Sequence, residues 1–235
     1  MMSFVYSSRT QKGLLSNNPK KYNQDNFIAI PNFTLDSSSH LFSVCDGHGE
    51  NGHLVSLYIK ENFPSMKFSK KQFFIIFHKE ILKKNLSKSP INKILIDSVS
   101  ELQNKLSSSS IDVAFSGSTM IVVYIQNNTI YISNVGDSRA ILGRQNCNDL
   151  AKKWQAIALS EDQKPDLSKE KERIEKRGGI VVSRKHSDKT NDGNVCRAWI
   201  PHKKVFGLSM SRSLGDLIAK NYGIISDPGK FFTEY

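Results

Sequence analysis

The sequence predicts an α+β layered sandwich, on three observations. Helical periodicity is concentrated between residues 52 and 106. Strand-like runs with turn signals lie before and after it, and the regular strand–helix alternation that a doubly wound parallel sheet needs is missing. Residues 1–40 read as short strands and turns, with an apolar run at 27–30 closed by Pro31 and Asn32. Residues 41–45 form a compact apolar strand. Residues 52–63 read as a helix in which Leu54, Leu57 and Tyr58 recur near period 3.6. Residues 70–85 set Phe73, Ile76, Phe77 and Ile81 on one face of a second helix, and 91–106 repeat the pattern with Ile91, Leu95, Val99, Leu102 and Leu106. After a serine break at 107–110, residues 119–126 and 129–135 form a hairpin around Asn127 and Asn128. Residues 138–142 and 154–159 are further strands. A charged helix over 169–177 is stopped by Gly178 and Gly179. Residues 183–204 read as polar and irregular, with apolar islands near Trp199 and Val205.

At 235 residues the chain suits one large domain, and no Pro/Gly/Ser-rich linker divides it, so a single domain over 1–235 is expected. The longest apolar runs, such as 120–125, fall far short of the roughly 20 residues that span a bilayer. The first residues carry no apolar leader core and no glycine for myristoylation, so no membrane anchor is expected. Cys45, Cys147 and Cys196 are odd in number and far apart, which points to reduced thiols in the cytoplasm or nucleus rather than a disulfide or zinc framework. A monomer is the default expectation. The net charge of +11 is uneven: between Lys60 and Lys93 nine lysines face only Glu61 and Glu80. That window could meet an acidic partner, but its phenylalanines are spaced for burial on a helix, not for base stacking. It reads as a solvated helix face, and no nucleic-acid partner is expected.

The chemistry-bearing residues cluster around strand ends. Asp46, Gly47 and His48 follow the apolar run 41–45 directly. A carboxylate and an unobstructed carbonyl suit a hard cation such as Mg²⁺ or Mn²⁺, and an imidazole beside them could protonate a leaving alkoxide. The same residues also read as a turn with a capping aspartate. Asp25 becomes a second carboxylate if the 27–30 strand lies beside 41–45; taken alone it is a turn residue. Lys20 and Lys21 could hold a phosphate dianion as point charges, or be ordinary surface lysines. Asp137 sits in the bend Gly136–Arg139, either as a further metal ligand or as the first residue of a turn. Residues 116–119 (SGST) lack the spacing of a nucleotide-phosphate loop and read as a strand entry. Neither Cys45 nor Cys147 lies in a Cys-x5-Arg loop, which argues against a thiol phosphatase.

Seven stretches in this order resemble the metal-dependent Ser/Thr protein phosphatases of the protein phosphatase 2C (PPM) family. They are YNQDNF at 22–27, FSVCDGHGENG at 42–52, SGSTMIVVYI at 116–125, YISNVGDSRAIL at 131–142, LSEDQKPDLSKEKERIEKRGGIV at 159–181, GLSMSRSLGD at 207–216 and IISDP at 224–228. The resemblance implies a four-layer α-β-β-α sandwich: two antiparallel sheets face to face, flanked by helices. It implies two Mg²⁺ or Mn²⁺ ions, with a third, weaker site, and a metal-bridging hydroxide that attacks phosphoserine or phosphothreonine in protein substrates. Carried over by position, Asp46 and the Gly47 carbonyl would bind metal, Asp25 would bind it directly or through water, and Asp137 would hold the third ion. His48 would be the general acid, Lys20 would bind phosphate, and 207–216 would support a substrate-side flap. Gln24 stands where many members have Glu, and Lys20 where many have Arg. After residue 228 the family continues with an Asp-Gly and an Asp-Asn motif that supply two more metal ligands, whereas no aspartate follows Asp227 here. The last strands and helices are therefore expected to be missing, with weak Mg²⁺ binding and an exposed sheet edge. The alternative reading is an inactive relative that binds phosphoproteins or a regulatory partner.

Overall fold

The computed structural model describes residues 5–13, 22–33, 38–66, 90–145, 153–184, 195–201 and 207–234. Lys20, Lys21, the helix expected over 70–85, most of the lysine-rich window and Cys147 lie outside them.

The centre is a seven-stranded antiparallel sheet. Its strands are β1 (Asp25–Pro31), β2 (Ser39–His48), β3 (Gly117–Ser118), β4 (Met120–Gln126), β5 (Thr129–Val135), β11 (Leu214–Gly215) and β12 (Gly229–Glu234). The order is β11-β3-β2-β4-β5-β12, with β1 paired to β2. Two small antiparallel sheets accompany it. One is the hairpin of β6 (Ile141–Gln145) and β7 (Trp154–Ala158). The other joins β8 (Ile180–Arg184), β9 (Val195–Trp199) and β10 (Gly207–Leu208). The helices are α1 (Gly52–Asn62), α2 (Pro90–Ser107), α3 (Ser168–Lys176) and the single turn α4 (Leu217–Lys220).

β4 explains the layering. Its unbroken apolar run alternates sides: Met120, Val122 and Tyr124 join the core beneath α1 and α2, while Ile121 and Ile125 join a second core shared with Leu159 and flanked by Leu142 and Ile157. A strand buried on both faces needs apolar residues at every position, so the run carries no polar alternation. Each fully buried Leu, Ile or Phe on these faces contributes about 1.5–3 kcal/mol. Ile91, Leu95, Val99, Leu102 and Leu106 of α2 are all buried against the sheet, as their spacing predicts. A third core joins Ile174 of α3 to Ala198, Ile200, Leu208 and Met210.

The α+β class with antiparallel sheets is the one the sequence indicates, and three local expectations need correction. In α1 the buried residues are Gly52, Val55, Ser56 and Ile59, whereas Leu54 and Leu57 are each 39% exposed. Val55 and Ile59 carry that face into the core, and the Ser56 hydroxyl beside them donates to the Gln24 carbonyl (2.6 Å). Residues 183–204 are not irregular throughout. β9 pairs with β8 from Ile180↔Trp199 to Arg184↔Val195, and burial of Ala198 against α3 supplies a face that the short, mixed sequence hides. Finally, residues 138–140 are not strand; β6 begins at Ile141, because the preceding bend is tied to Ser160 and Asp162.

Candidate metal centre

β2 brings the site together. Antiparallel pairing sets Asp25 directly across from Asp46, so the condition that the sequence left open for Asp25 holds. On the other edge of β2 the ladder is broken at Thr119, between β3 and β4, and this break holds Asp46. The Asp46 N–H donates to Thr119 Oγ1 (3.0 Å), and the Thr119 N–H donates to the Asp46 carbonyl (2.9 Å). Thr119 Oγ1 also bonds to Ser138 Oγ (2.7 Å), next to Asp137. One threonine thus links two carboxylate-bearing segments.

The glycines around Asp46 serve close backbone packing. A Cβ on Gly47 would lie 2.2 Å from the Gly52 carbonyl oxygen and 2.6 Å from that of Gln24. Gly49 has φ +81, in the left-handed region that glycine adopts freely. Gln24 donates from its amide to the Gly49 carbonyl (2.7 Å), so it braces the turn after His48. Asn51 closes the same turn through its N–H to Ser116 Oγ (3.0 Å) and its side-chain amide to the Asp112 carbonyl (2.9 Å).

Asp137 follows Gly136, whose φ is +104. Gln163 fixes this bend: its Oε1 accepts from the Gly136 N–H (2.6 Å), and its Nε2 donates to the Asn134 carbonyl (2.9 Å). Beside it Arg139 makes a two-pronged pair with Asp162 (2.8 and 2.7 Å), and Lys164 ion-pairs with Asp137. Lys164 therefore occupies one carboxylate oxygen of the residue expected to hold a third cation.

The electrostatics mark this end of the sheet. Partial burial, then the charges of Asp25 and Asp137, raise the Asp46 carboxyl above its ordinary 3.8; His48 opposes this more weakly. Burial alone would lower the His48 imidazolium, but the charge of Asp216 and a hydrogen bond to it prevail, and Asp46 and Asp137 add to the rise. The contact is short: His48 Nε2 lies 2.6 Å from Asp216 Oδ2, and Asp216 is fully buried.

These donors fit a hard divalent cation in kind. A carboxylate raised by its neighbours, as Asp46 is, is relieved by positive charge, and oxygen donors suit Mg²⁺ or Mn²⁺. Among the described residues, no three His, Cys, Asp or Glu side chains close around a single metal position. Asp25, Asp46 and the Gly47 carbonyl would hold the ion from one side, and water would complete its shell. Sequence reasoning missed Thr119, Gln163, Lys164 and Asp216. All four lie in stretches noted for other reasons, and their neighbours across the sheet could not be read from local pattern.

An antiparallel α+β framework with a carboxylate pair and an adjacent histidine at one end of its sheet defines a candidate metal-dependent hydrolase. The chain belongs to the protein phosphatase 2C family, whose model matches residues 15–230. It is similar to the Arabidopsis thaliana protein named "Probable protein phosphatase 2C 65", 32% identical over 219 residues, covering 90% of this chain and 55% of the relative. It is also similar to "Probable protein phosphatase 2C 64" of Oryza sativa subsp. japonica, 30% identical over 97% of this chain and 48% of the relative. The chain thus spans about half the length of these curated relatives. Among solved structures, a serine-threonine phosphatase 2C from Toxoplasma gondii shares the fold, with a TM-score of 0.71 and 20% identity, over 92% of this chain and 70% of that one. A C. elegans sex determining protein does so with a TM-score of 0.62 and 19% identity, over 92% and 46%.

Proposed function

We propose that this chain carries the substrate-facing part of a metal-dependent protein serine/threonine phosphatase. The observation that carries the reading is the pairing of Asp25 with Asp46 beside Asp137, with His48 two residues further along the same strand. Bound Mg²⁺ or Mn²⁺ would supply an activated water nucleophile and screen the phosphoryl charge. Asp25, Asp46 and the Gly47 carbonyl would hold two ions in place. Asp137 would contribute to a third, weaker site once Lys164 moves aside. His48 would give a proton to the seryl or threonyl oxygen as its bond to phosphorus breaks, so that a poor leaving group departs neutral. Lys20 would steer the phosphate as a point charge. Phosphorylated proteins are the substrates of this reading, and the chain acts as a monomer of one domain. The cytoplasm or nucleus fits its thiols: Cys45 and Cys196 are free, and burial pushes the Cys45 thiol up to about 12, which keeps it unreactive. Among the described residues no helix is long and apolar enough to cross a membrane.

The test is phosphate release from a phosphothreonine peptide under Mn²⁺ titration. Turnover that needs Mn²⁺, stops with EDTA and is lost in Asp46→Ala is expected. A soluble, folded chain without turnover would favour the alternative, a phosphoprotein-binding module.

A further inference from the structure

Asp216 is the least expected residue of the site. It lies 168 residues from His48 in sequence and is brought to it by three strands. His48, at the end of β2, pairs with Gly117 of β3, and Gly117 pairs with Gly215 of β11. Asp216 must therefore reach past Gly117 to touch His48. Glycine makes this passage possible, since a Cβ at 117 would lie 2.4 Å from Asp216 Oδ2. The chain bends to aim the carboxylate: Gly215 has φ +82 and Asp216 has φ +49. A non-glycine residue in the left-handed region costs about 1–2 kcal/mol, so this conformation is held by its surroundings.

Those surroundings are built in detail. Ser213 Oγ donates to Asp216 Oδ2 (2.5 Å), the same oxygen that meets His48. The half-buried Lys220 donates to the Ser213 carbonyl (2.9 Å). The Asp216 N–H donates to the Ser116 carbonyl (2.9 Å), which pins the residue to the segment entering β3. Within this pair, Asp216 Oδ1 and His48 Nδ1 are buried and have no hydrogen-bond partner among the described residues. An unpaired buried polar atom costs about 1–3 kcal/mol. A ring with one nitrogen clamped to a carboxylate and the other unpartnered has the form of a proton donor awaiting its acceptor.

We propose that Asp216 is a positioning residue that fixes the imidazole of His48 through Nε2, so that Nδ1 is the nitrogen presented to the reacting ester. In the step this serves, a water oxygen bonds to phosphorus as the ester phosphorus–oxygen bond breaks, and Nδ1–H gives its proton to the departing serine or threonine oxygen. The electron pair of that bond stays on the oxygen, and the ring is left neutral with its remaining proton on Nε2, facing Asp216. The step rests on the phosphatase reading; the tautomer does not.

The experiment has two arms. In the first, long-range ¹H–¹⁵N spectra of the histidine-labelled chain are recorded at alkaline pH, where the ring is neutral. Wild type is expected to hold the proton on Nε2, and Asp216→Asn to shift the balance toward Nδ1–H. A wild-type proton on Nδ1, or an unchanged tautomer in folded Asp216→Asn, overturns the proposal. If Asp216→Asn does not fold, Ser213→Ala takes its place. It removes the competing donor from Asp216 Oδ2, so the preference for Nε2–H is expected to hold or strengthen; a shift of the proton to Nδ1 overturns the proposal. In the second arm, Asp216→Asn is expected to lower kcat on a phosphothreonine peptide about 10-fold or more. KM should stay within about 2-fold, and p-nitrophenyl phosphate, whose phenolate leaves without a proton, should lose much less. Equal losses on both substrates overturn the step. Absence of wild-type turnover on either substrate overturns the phosphatase reading and leaves the tautomer result to decide the positioning role.

Discussion

Asp46 and Glu170 are acids whose neighbours drive them in opposite directions. Glu170, in α3, has a side chain only 5% exposed and accepts from Ser211 Oγ (2.5 Å), Arg173 Nη2 (2.7 Å) and Arg212 through Nε (3.0 Å) and Nη2 (2.5 Å). Burial opposes its ionisation, but the hydrogen bonds from Arg212, Arg173 and Ser211 bring its pKa down to about 2. Arg212 and Arg173 go on to the Asp227 and Gly223 carbonyls, so the cluster ties α3 to the segments on either side of α4. Asp46 faces two other carboxylates and is raised instead. A buried charge that loses its partners costs a fold dearly, whereas like charges gathered at a solvent-facing strand end cost stability while they stay ionised.

The contrast is broken most directly at Asp46. Asp46→Ala should lower Mn²⁺-dependent phosphate release beyond about 100-fold. Its urea midpoint without metal should equal or exceed that of wild type, because a raised carboxyl costs stability once it ionises. A marked loss of stability would make Asp46 structural. Glu170→Gln should do the reverse, costing of the order of 3 kcal/mol in urea unfolding by leaving Arg173 and Arg212 without their shared anion. A cost below about 0.5 kcal/mol would reduce the cluster to an ordinary surface pair. Gly47→Ala should cost about 1–3 kcal/mol, because the new Cβ meets backbone at 2.2 Å. A smaller loss would mean that the turn can open.

The acid limb of stability sharpens the same contrast with a smaller effect. Glu170 has a folded pKa of about 2, below its ordinary 4.5, so its contribution is complete above 4.5 and drains as pH falls toward 2. Wild type should lose stability over that window, and Glu170→Gln should show a flatter profile there. Parallel profiles would assign the acid sensitivity to other carboxylates.

The residues of the centre differ in how far sequence could reveal them. Asp25 and Asp46 were legible because each sits at the end of a strand with a clear apolar signal, and pairing those strands brings the carboxylates together. Asp216 was not, because its partner lies two strands away and its role depends on Gly117 having no side chain. α2 was legible because an apolar stripe facing a sheet has one solution; α1 was misphased by Leu54 and Leu57 because Val55 and Ile59 form a second stripe four residues apart, and it is this stripe that enters the core. β9 was hidden because its pattern gains meaning only once α3 covers Ala198.

The central claim is that Asp46 is held above its ordinary pKa to receive a cation, while Glu170 is held below its own to keep the fold. Carboxyl ¹³C titration of the labelled chain, with and without Mg²⁺, reads both groups in one experiment. Glu170 is expected to titrate near 2 in either case. Asp46 is expected above 3.8 without metal and to fall when Mg²⁺ is added. An Asp46 carboxyl that titrates below 3.8 without metal, or that ignores Mg²⁺, would contradict the account.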